Sequence, residues 1–252
     1  MAFPQMKGKH KGKALFLPQD FINHALETGK HIASIPKNII ICYSKSLASK
    51  IAKSKSAKPI IFFGRKNNLF RIKNNIAILV GFGIGAPAIA AYVEELITLG
   101  AKNFINIGTA GTLQDLQAGD FVVCDRAIRD EGLSHHYFKS GKYCYASKKL
   151  TTKLEKAMKT LNIKYRKGTT WTIDAPYRET IEEVRQYKKE GVLTVEMEAS
   201  AVFSVAKYRG ANAAALFVIS DRLSKSKWTP EFHKIAKSKL KLLNIAIKTL
   251  SG

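Results

Sequence analysis

The sequence predicts an α/β fold: a central, largely buried sheet flanked by helices. Three observations point there. Short apolar runs without alternation (NIIICY at 38–43, IAILV at 76–80, AAALFVI at 213–219) read as strands covered on both faces. Segments with helical periodicity separate those runs. Glycine clusters or an acid follow the strands, where ligands gather in such folds. The chain has 252 residues, 46% of them hydrophobic, which suits one domain over 1–252 with a core of its own.

Taken in order, Lys13 to Pro18 (KALFLP) reads as a short strand followed by a polar turn. Strands are expected at 38–43 and 58–63, with a lysine-rich amphipathic helix at 44–56 between them. Ile76 to Val80 is a strand that runs into Gly81, Gly83 and Gly85. Pro87 then opens a helix ending at Gly100, with Ile89, Val93, Leu96 and Ile97 on its apolar face. Asn103 to Ile107 is a strand, GTAGTLQDLQAGD a turn, and Phe121 to Cys124 a further strand. Helices are expected over 148–161, 179–190 and 197–209, the last closed by Gly210. After the 213–219 strand, a final helix over 230–250 carries Phe232, Ile235, Ala236, Leu240, Leu243 and Ile247 on one face.

Charge is the unusual part of the composition. There are 42 Lys and Arg against 19 Asp and Glu, a formal net charge of +23. The excess collects at the ends: residues 1–60 hold 11 Lys and two acids, and residues 225–252 hold seven Lys and one acid. Lys outnumbers Arg 33 to nine, whereas groove readers of nucleic acid lean on bidentate Arg. The charge therefore reads as a surface property, not as a nucleic-acid face. Cys42, Cys124 and Cys144 form no CxxC pair, which argues against a disulfide framework or a zinc knuckle and for reduced thiols in the cytoplasm. No secretory h-region opens the chain. The uncharged stretch 76–93 has the length of a membrane span, but three glycines and Pro87 at its centre favour strand, turn and helix.

Four short segments could carry chemistry. GFGIGAP (Gly81 to Pro87) lets backbone approach a ligand but lacks the spacing of a dinucleotide fingerprint and the Lys-Ser/Thr of a P-loop. Ile107 to Gly111 (IGTAG) offers backbone N–H groups and the Thr109 hydroxyl to an oxygen-rich ligand. Val195 to Ser200 (VEMEAS) sets Glu196 and Glu198 around Met197. Helix-terminus charge pairing is one reading, and a carboxylate accepting hydrogen bonds from sugar hydroxyls is the other. Asp221, after the 213–219 strand, is a turn cap or a general acid.

In order, GFGIGAPAIAAYVEELITLGAKNFINIGTAGTL, AGDFVV, RDEGLSHHY, VEMEASAVFSVA and VISDRL resemble the nucleoside phosphorylase family of purine nucleoside phosphorylases, uridine phosphorylases and related nucleosidases. The resemblance is carried by residues 76–250, and residues 1–75 match poorly. It implies a mixed, barrel-like central sheet, a homo-oligomer, and cleavage of a nucleoside N-glycosidic bond through a cationic ribosyl transition state. No metal or organic cofactor is implied, with phosphate or water as the nucleophile.

The resemblance also assigns residues. Glu198 matches the glutamate that holds the ribose 2′-hydroxyl, with Glu196 beside it, and Met197 the methionine that packs on the sugar. Thr109, Ala110 and Gly111 match the turn that lines the ribose and nucleophile pocket. Trp171 falls near the aromatic that stacks on the base, Arg178 near a base carbonyl, and Asp221 resembles the acid that protonates a purine leaving group. Purine substrates are therefore favoured, with uridine the second choice.

Two departures matter. Gln19 and Asn23 stand where phosphorolytic members carry Gly and Arg, and Asn106 stands where they carry a second Arg. Lys58 or Arg65 of a neighbouring subunit would have to compensate. Otherwise water replaces phosphate, with Asp20 orienting it. A hydrolytic nucleosidase is thus the alternative to a phosphorylase, and a non-catalytic nucleoside or nucleic-acid binder the alternative to an enzyme.

Overall fold

The computed structural model describes residues 4–61, 68–139, 141–224 and 227–252. The elements run α1 (Pro18–Glu27), β1 (Asn38–Cys42), α2 (Lys45–Ala52), β2 (Lys58–Pro59), β3 (Leu69–Lys73), β4 (Ile76–Leu79) and α3 (Ala86–Thr98). Then come β5 (Asn103–Thr112), β6 (Phe121–Asp130), α4 (Ser134–Tyr137), β7 (Tyr143–Tyr145), α5 (Lys148–Thr160), β8 (Arg166–Ile173) and α6 (Ile181–Lys189). The chain finishes with β9 (Thr194–Glu196), α7 (Ala199–Tyr208), β10 (Asn212–Leu223), β11 (Trp228–Pro230) and α8 (Ala236–Ser251).

All the strands join one mixed sheet, ordered β11-β10-β6-β8-β9-β5-β1-β4-β3-β2, with β7 on the edge of β6. β10 also pairs in parallel with β5, so β10, β6, β8, β9 and β5 close into a five-stranded barrel. The remaining strands continue from β5 as an open wing, in which β1 lies parallel to both β5 and β4.

Two apolar layers cover the sheet. One face packs against α1, α3 and α7 through Ile39, Ile41, Phe104, Val93 and Phe203. The opposite face packs against α2, α5 and α8 through Ile40, Ile105, Leu154 and Ile245. Helix α7 is buried from Ala199 to Ala206, which is why its sequence is apolar all round. Glu94 of α3 accepts from Arg209 Nε at 2.6 Å, pinning α3 beside the end of α7.

The α/β class, the barrel-like mixed sheet and most expected elements are present. Several details differ. Residues 13–17 form no strand; Leu15 and Phe16 are exposed, and helix α1 begins directly at Pro18, where a missing N–H costs nothing. Of the expected 58–63 strand only Lys58–Pro59 is strand; Ile60 and Ile61 are not, and Phe62 and Phe63 lie outside the described residues. The expected turn after Ile107 is strand as far as Thr112, because β10 and β9 supply ladder partners along GTAGT. The last helix begins at Ala236, after a 3₁₀ turn over Phe232–Ile235 that shifts its phase. Its inward face is therefore Leu242, Ile245, Ala246 and Thr249, while Phe232 and Leu240 are exposed.

Candidate active site

The acid pair sits where β9 hands over to α7. Glu196 ends the strand and Glu198 is the N-cap of the helix, so both carboxylates turn inward at one junction. Glu196 is fully engaged. Its Oε2 accepts the backbone N–H groups of Glu198 (2.9 Å) and Ala199 (2.7 Å), and its Oε1 accepts Thr172 Oγ1 at 2.6 Å. Glu198 has one strong protein partner, the N–H of Gly85, which donates to its Oε1 at 2.6 Å.

Burial raises the pKa of both carboxyls, and the charge of Glu196 raises that of Glu198 further. Three donors favour the ionised form of Glu196. The first proton taken up by the pair is therefore favoured on Glu198 over Glu196.

The glycine turn explains that Gly85 bond. Gly81, Gly83 and Gly85 have φ of 68°, 99° and 99°, a left-handed region closed to most side chains. The chain can therefore double back after β4 and present an N–H to Glu198 before α3 starts.

The network continues away from Glu198. Thr172 Oγ1 accepts the N–H of Ser200 at 3.1 Å, and Ser200 Oγ donates to Glu131 Oε1 at 2.7 Å. Glu131 also accepts the N–H of Ser134 at 3.0 Å. A buried polar chain thus runs Glu131–Ser200–Thr172–Glu196, tying β6, β8 and β9 to the start of α7.

Asp221 forms the second pole. A bulge in β10 between Ile219 and Asp221 breaks the register with β5 and re-aims the side chain. Asp221 is 9% exposed; Ser220 Oγ donates to its Oδ1 at 2.6 Å and Trp228 Nε1 to its Oδ2 at 2.9 Å. Gly111 lies opposite in the ladder. A Cβ there would stand 2.5 Å from Leu223 Cδ1, 2.9 Å from Asp221 Oδ2 and 3.2 Å from Val195 Cγ1. Gly111 is thus the point at which Asp221 and β9 meet. Burial first, then the charges of Asp221 and Glu183, pushes the Glu179 carboxyl up to about 7.

Other expected residues are distributed differently. Thr109 and Ala110 lie on β5, with Ala110 O accepting from Ser220 Oγ at 3.4 Å. Met197 is partly exposed between the two glutamates. Trp171 is fully buried, stacked obliquely on Tyr187 at 4.8 Å, and its Nε1 donates to Asp130 Oδ2 at 2.9 Å. It belongs to a buried cluster with Leu113, Ile128, Ile173 and Val195. Arg178 is exposed on a 3₁₀ turn, while its neighbour Glu179 is half-buried.

Asn23 is exposed on α1 and accepts from Gln19 Nε2 at 2.8 Å, while Asp20 caps α1 by accepting Leu17 N–H at 2.8 Å. Lys58 is exposed on β2, and Arg65 lies outside the described residues. Asn106 is fully buried, with neither its Oδ1 nor its Nδ2 bonded. Strand alternation puts Asn106 on the β5 face of Gly108, against which the ring of Tyr43 lies. The Tyr43 hydroxyl is also buried and unbonded, and burial and the nearby charges of Glu198 and Glu196 hold its pKa well above the usual phenol range.

Sequence reasoning missed Thr172, Glu131, Tyr43 and Glu179. Glu131 and Glu179 stand inside segments it had singled out, RDEGLSHHY and the stretch around Trp171. Thr172 and Tyr43 carried no signal beyond their strands.

The α/β fold is thus a five-stranded mixed barrel that carries an acid pair at one strand–helix junction and a buried aspartate at a bulge inside β10. A family model described as "Phosphorylase superfamily" matches residues 39–250. The chain belongs to that superfamily.

A purine nucleoside phosphorylase DeoD-type of Caldanaerobacter subterraneus subsp. tengcongensis is 37% identical over 146 residues, 57% of this chain and 63% of that protein. A purine nucleoside phosphorylase DeoD-type of Bacillus cereus is 34% identical over 146 residues, 57% of this chain and 62% of that protein. The matched stretch is thus less than two thirds of either relative. Among solved structures, a uridine phosphorylase from Vibrio fischeri superposes with a TM-score of 0.72 at 26% identity, covering 86% of this chain and 92% of that one. A purine nucleoside phosphorylase from Toxoplasma gondii shares the fold with a TM-score of 0.74 at 24% identity, covering 86% of this chain and 90% of that one.

Proposed function

We propose that this chain cleaves the N-glycosidic bond of a nucleoside by phosphorolysis, purine nucleosides first and uridine second, giving free base and ribose 1-phosphate. The carrying observation is Glu198: a buried carboxyl that accepts from backbone N–H groups, Gly85 at 2.6 Å and Met197, with acceptor capacity left over. Sugar hydroxyls would supply the partners a buried carboxylate requires. The purine and uridine phosphorylase relatives support the same reaction class.

In this reading Glu198 holds the ribose, Met197 packs on it, and Thr109 to Gly111 line the nucleophile side. Glu196 is a positioning residue that fixes the first turn of α7. Asp221 assists departure of the base. Each of its oxygens accepts one hydrogen bond and keeps a second lone pair, on which the proton for N7 of a purine would be carried. Trp228 is 57% exposed, so the bond it makes to Asp221 lies at the molecular surface. Residues lent by a second copy in a homo-oligomer would complete the phosphate site. The three free, buried cysteines suit a reducing cytoplasm.

A hydrolytic reading is favoured by one observation. Asn106, which replaces an expected arginine, is buried and neutral, and Asn23 is bonded to Gln19 on an exposed helix. A nucleoside panel assayed with and without phosphate separates the two readings. Phosphorolysis predicts phosphate-dependent base release with one ribose 1-phosphate per base. Base release indifferent to phosphate would establish hydrolysis instead, and no release from any nucleoside would leave a binding protein.

A further inference from the structure

A second polar cluster lies at the opposite ends of the same strands. β1, β5 and β10 begin with Asn38, Asn103 and Asn212, which stand in register across the sheet. Their amides form a ladder. Asn212 Nδ2 donates to Asn103 Oδ1 at 3.0 Å, and Asn103 Nδ2 donates to Asn38 Oδ1 at 2.8 Å. Ser147, the N-cap of α5, closes one end by donating to Asn212 Oδ1 at 2.9 Å. All donors point one way, so the Nδ2 of Asn38 is the donor left over among the described residues.

A cavity of about 330 Å³ opens over this ladder. Lys37, just before β1, and Lys149 and Lys153, one turn apart on α5, line it together with Leu150 and Leu250. An adjoining groove shares Asn38 and Leu250 and adds Lys73. Three lysines thus border the cavity and a fourth the adjoining groove, with no Asp or Glu among the described lining residues, and the i,i+4 pair Lys149–Lys153 is repulsive on a bare helix. An anion in the cavity would relieve that repulsion.

The cavity is at the lower end of the range for small-molecule sites, about 300–1,000 Å³, and so exceeds the needs of a bare inorganic ion. Leu150 and Leu250 offer apolar wall for an organic body. The candidate active site is elsewhere: β5 runs six residues from Asn103 to Thr109, roughly 20 Å at the rise of a strand.

We propose that this cavity binds a phosphorylated small molecule, its phosphate held by Lys37, Lys149, Lys153 and the Asn38 amide, its organic part against Leu150 and Leu250. Isothermal titration of the full chain with ribose 5-phosphate, adenosine 5′-monophosphate and inorganic phosphate tests this. Gly252 lines the rim, so any tag is placed at the N-terminus. At least one ester should bind more tightly than inorganic phosphate, and that binding should persist in Glu198→Gln.

The double variant Lys149→Gln/Lys153→Gln should weaken the ester about tenfold or more while leaving nucleoside cleavage unchanged. The double variant Lys156→Gln/Lys159→Gln, on the same helix but outside the cavity, should leave affinity unchanged. The proposal fails if no ester binds at physiological ionic strength, or if inorganic phosphate binds as well as the esters. It also fails if both lysine pairs matter equally, or if Glu198→Gln removes the binding.

Discussion

Glu198 is a buried carboxyl, raised by burial and held by backbone N–H groups, whereas Asp221 accepts from two side chains, Ser220 and Trp228. Glu198→Gln preserves the shape but alters what the sugar hydroxyls meet, and it should lower kcat/KM roughly 10²-fold in steady-state assays of nucleoside cleavage. Asp221→Asn should slow purine nucleosides by roughly 10²–10⁴-fold while sparing substrates with activated leaving groups. An equal loss on both would reject the general-acid role. Asn106 gives an opposite kind of test. Both ends of its amide are buried and unbonded, so Asn106→Leu should leave thermal stability unchanged or raise it, as measured by melting temperature. At this scale the sequence was informative about which residue types to watch, and less so about direction. The VEMEAS acids and Asp221 were legible because an acid inside an apolar segment needs a reason. The burial of Trp171 and Glu179 was not, because both depend on where β8 and the following turn settle against their neighbours.

At the scale of elements, the site depends on short connections holding fixed angles. Thr172 links β8 to β9 and to the first turn of α7 by donating to Glu196 and accepting from Ser200. Thr172→Val keeps the shape but removes both bonds, and should cost about 1–3 kcal/mol in denaturant unfolding. Gly111→Ala should destabilise as well, since its methyl would press on Leu223, Asp221 and Val195. The strands β8 and β9 were the least legible in the sequence. Arg166 to Ile173 alternates neither cleanly nor with strong apolarity, because its threonines are buried through hydrogen bonds rather than hydrophobicity. Thr194 to Glu196 is too short to show a period. By contrast β1, β4, β5 and β10 are covered on both faces, and their apolar runs follow from that cover.

At the scale of the molecule, the raised carboxyls set a pH dependence. Glu196, Glu198 and Glu179 bind protons more readily folded than unfolded, so the folded state holds more protons between the ordinary carboxylate range and the raised values. Stability contributed by these groups is therefore present at mildly acidic pH and declines as pH rises toward about 7, where Glu179 titrates. Melting temperature should fall over that interval, and Glu179→Gln should flatten the slope. The net charge of +23 adds self-repulsion and makes low-salt association with polyanions nonspecific. The barrel closure has a kinetic consequence. The strands β5 and β10 pair directly but begin at residues 103 and 212, and the ring cannot close until the second of them has been synthesised. Until then β5 presents an open edge beside β1, a template for pairing with another chain. Such long-range parallel pairing folds slowly. Emergence of β10 from the ribosome is therefore the event after which the nascent chain is protected from misassembly with its neighbours.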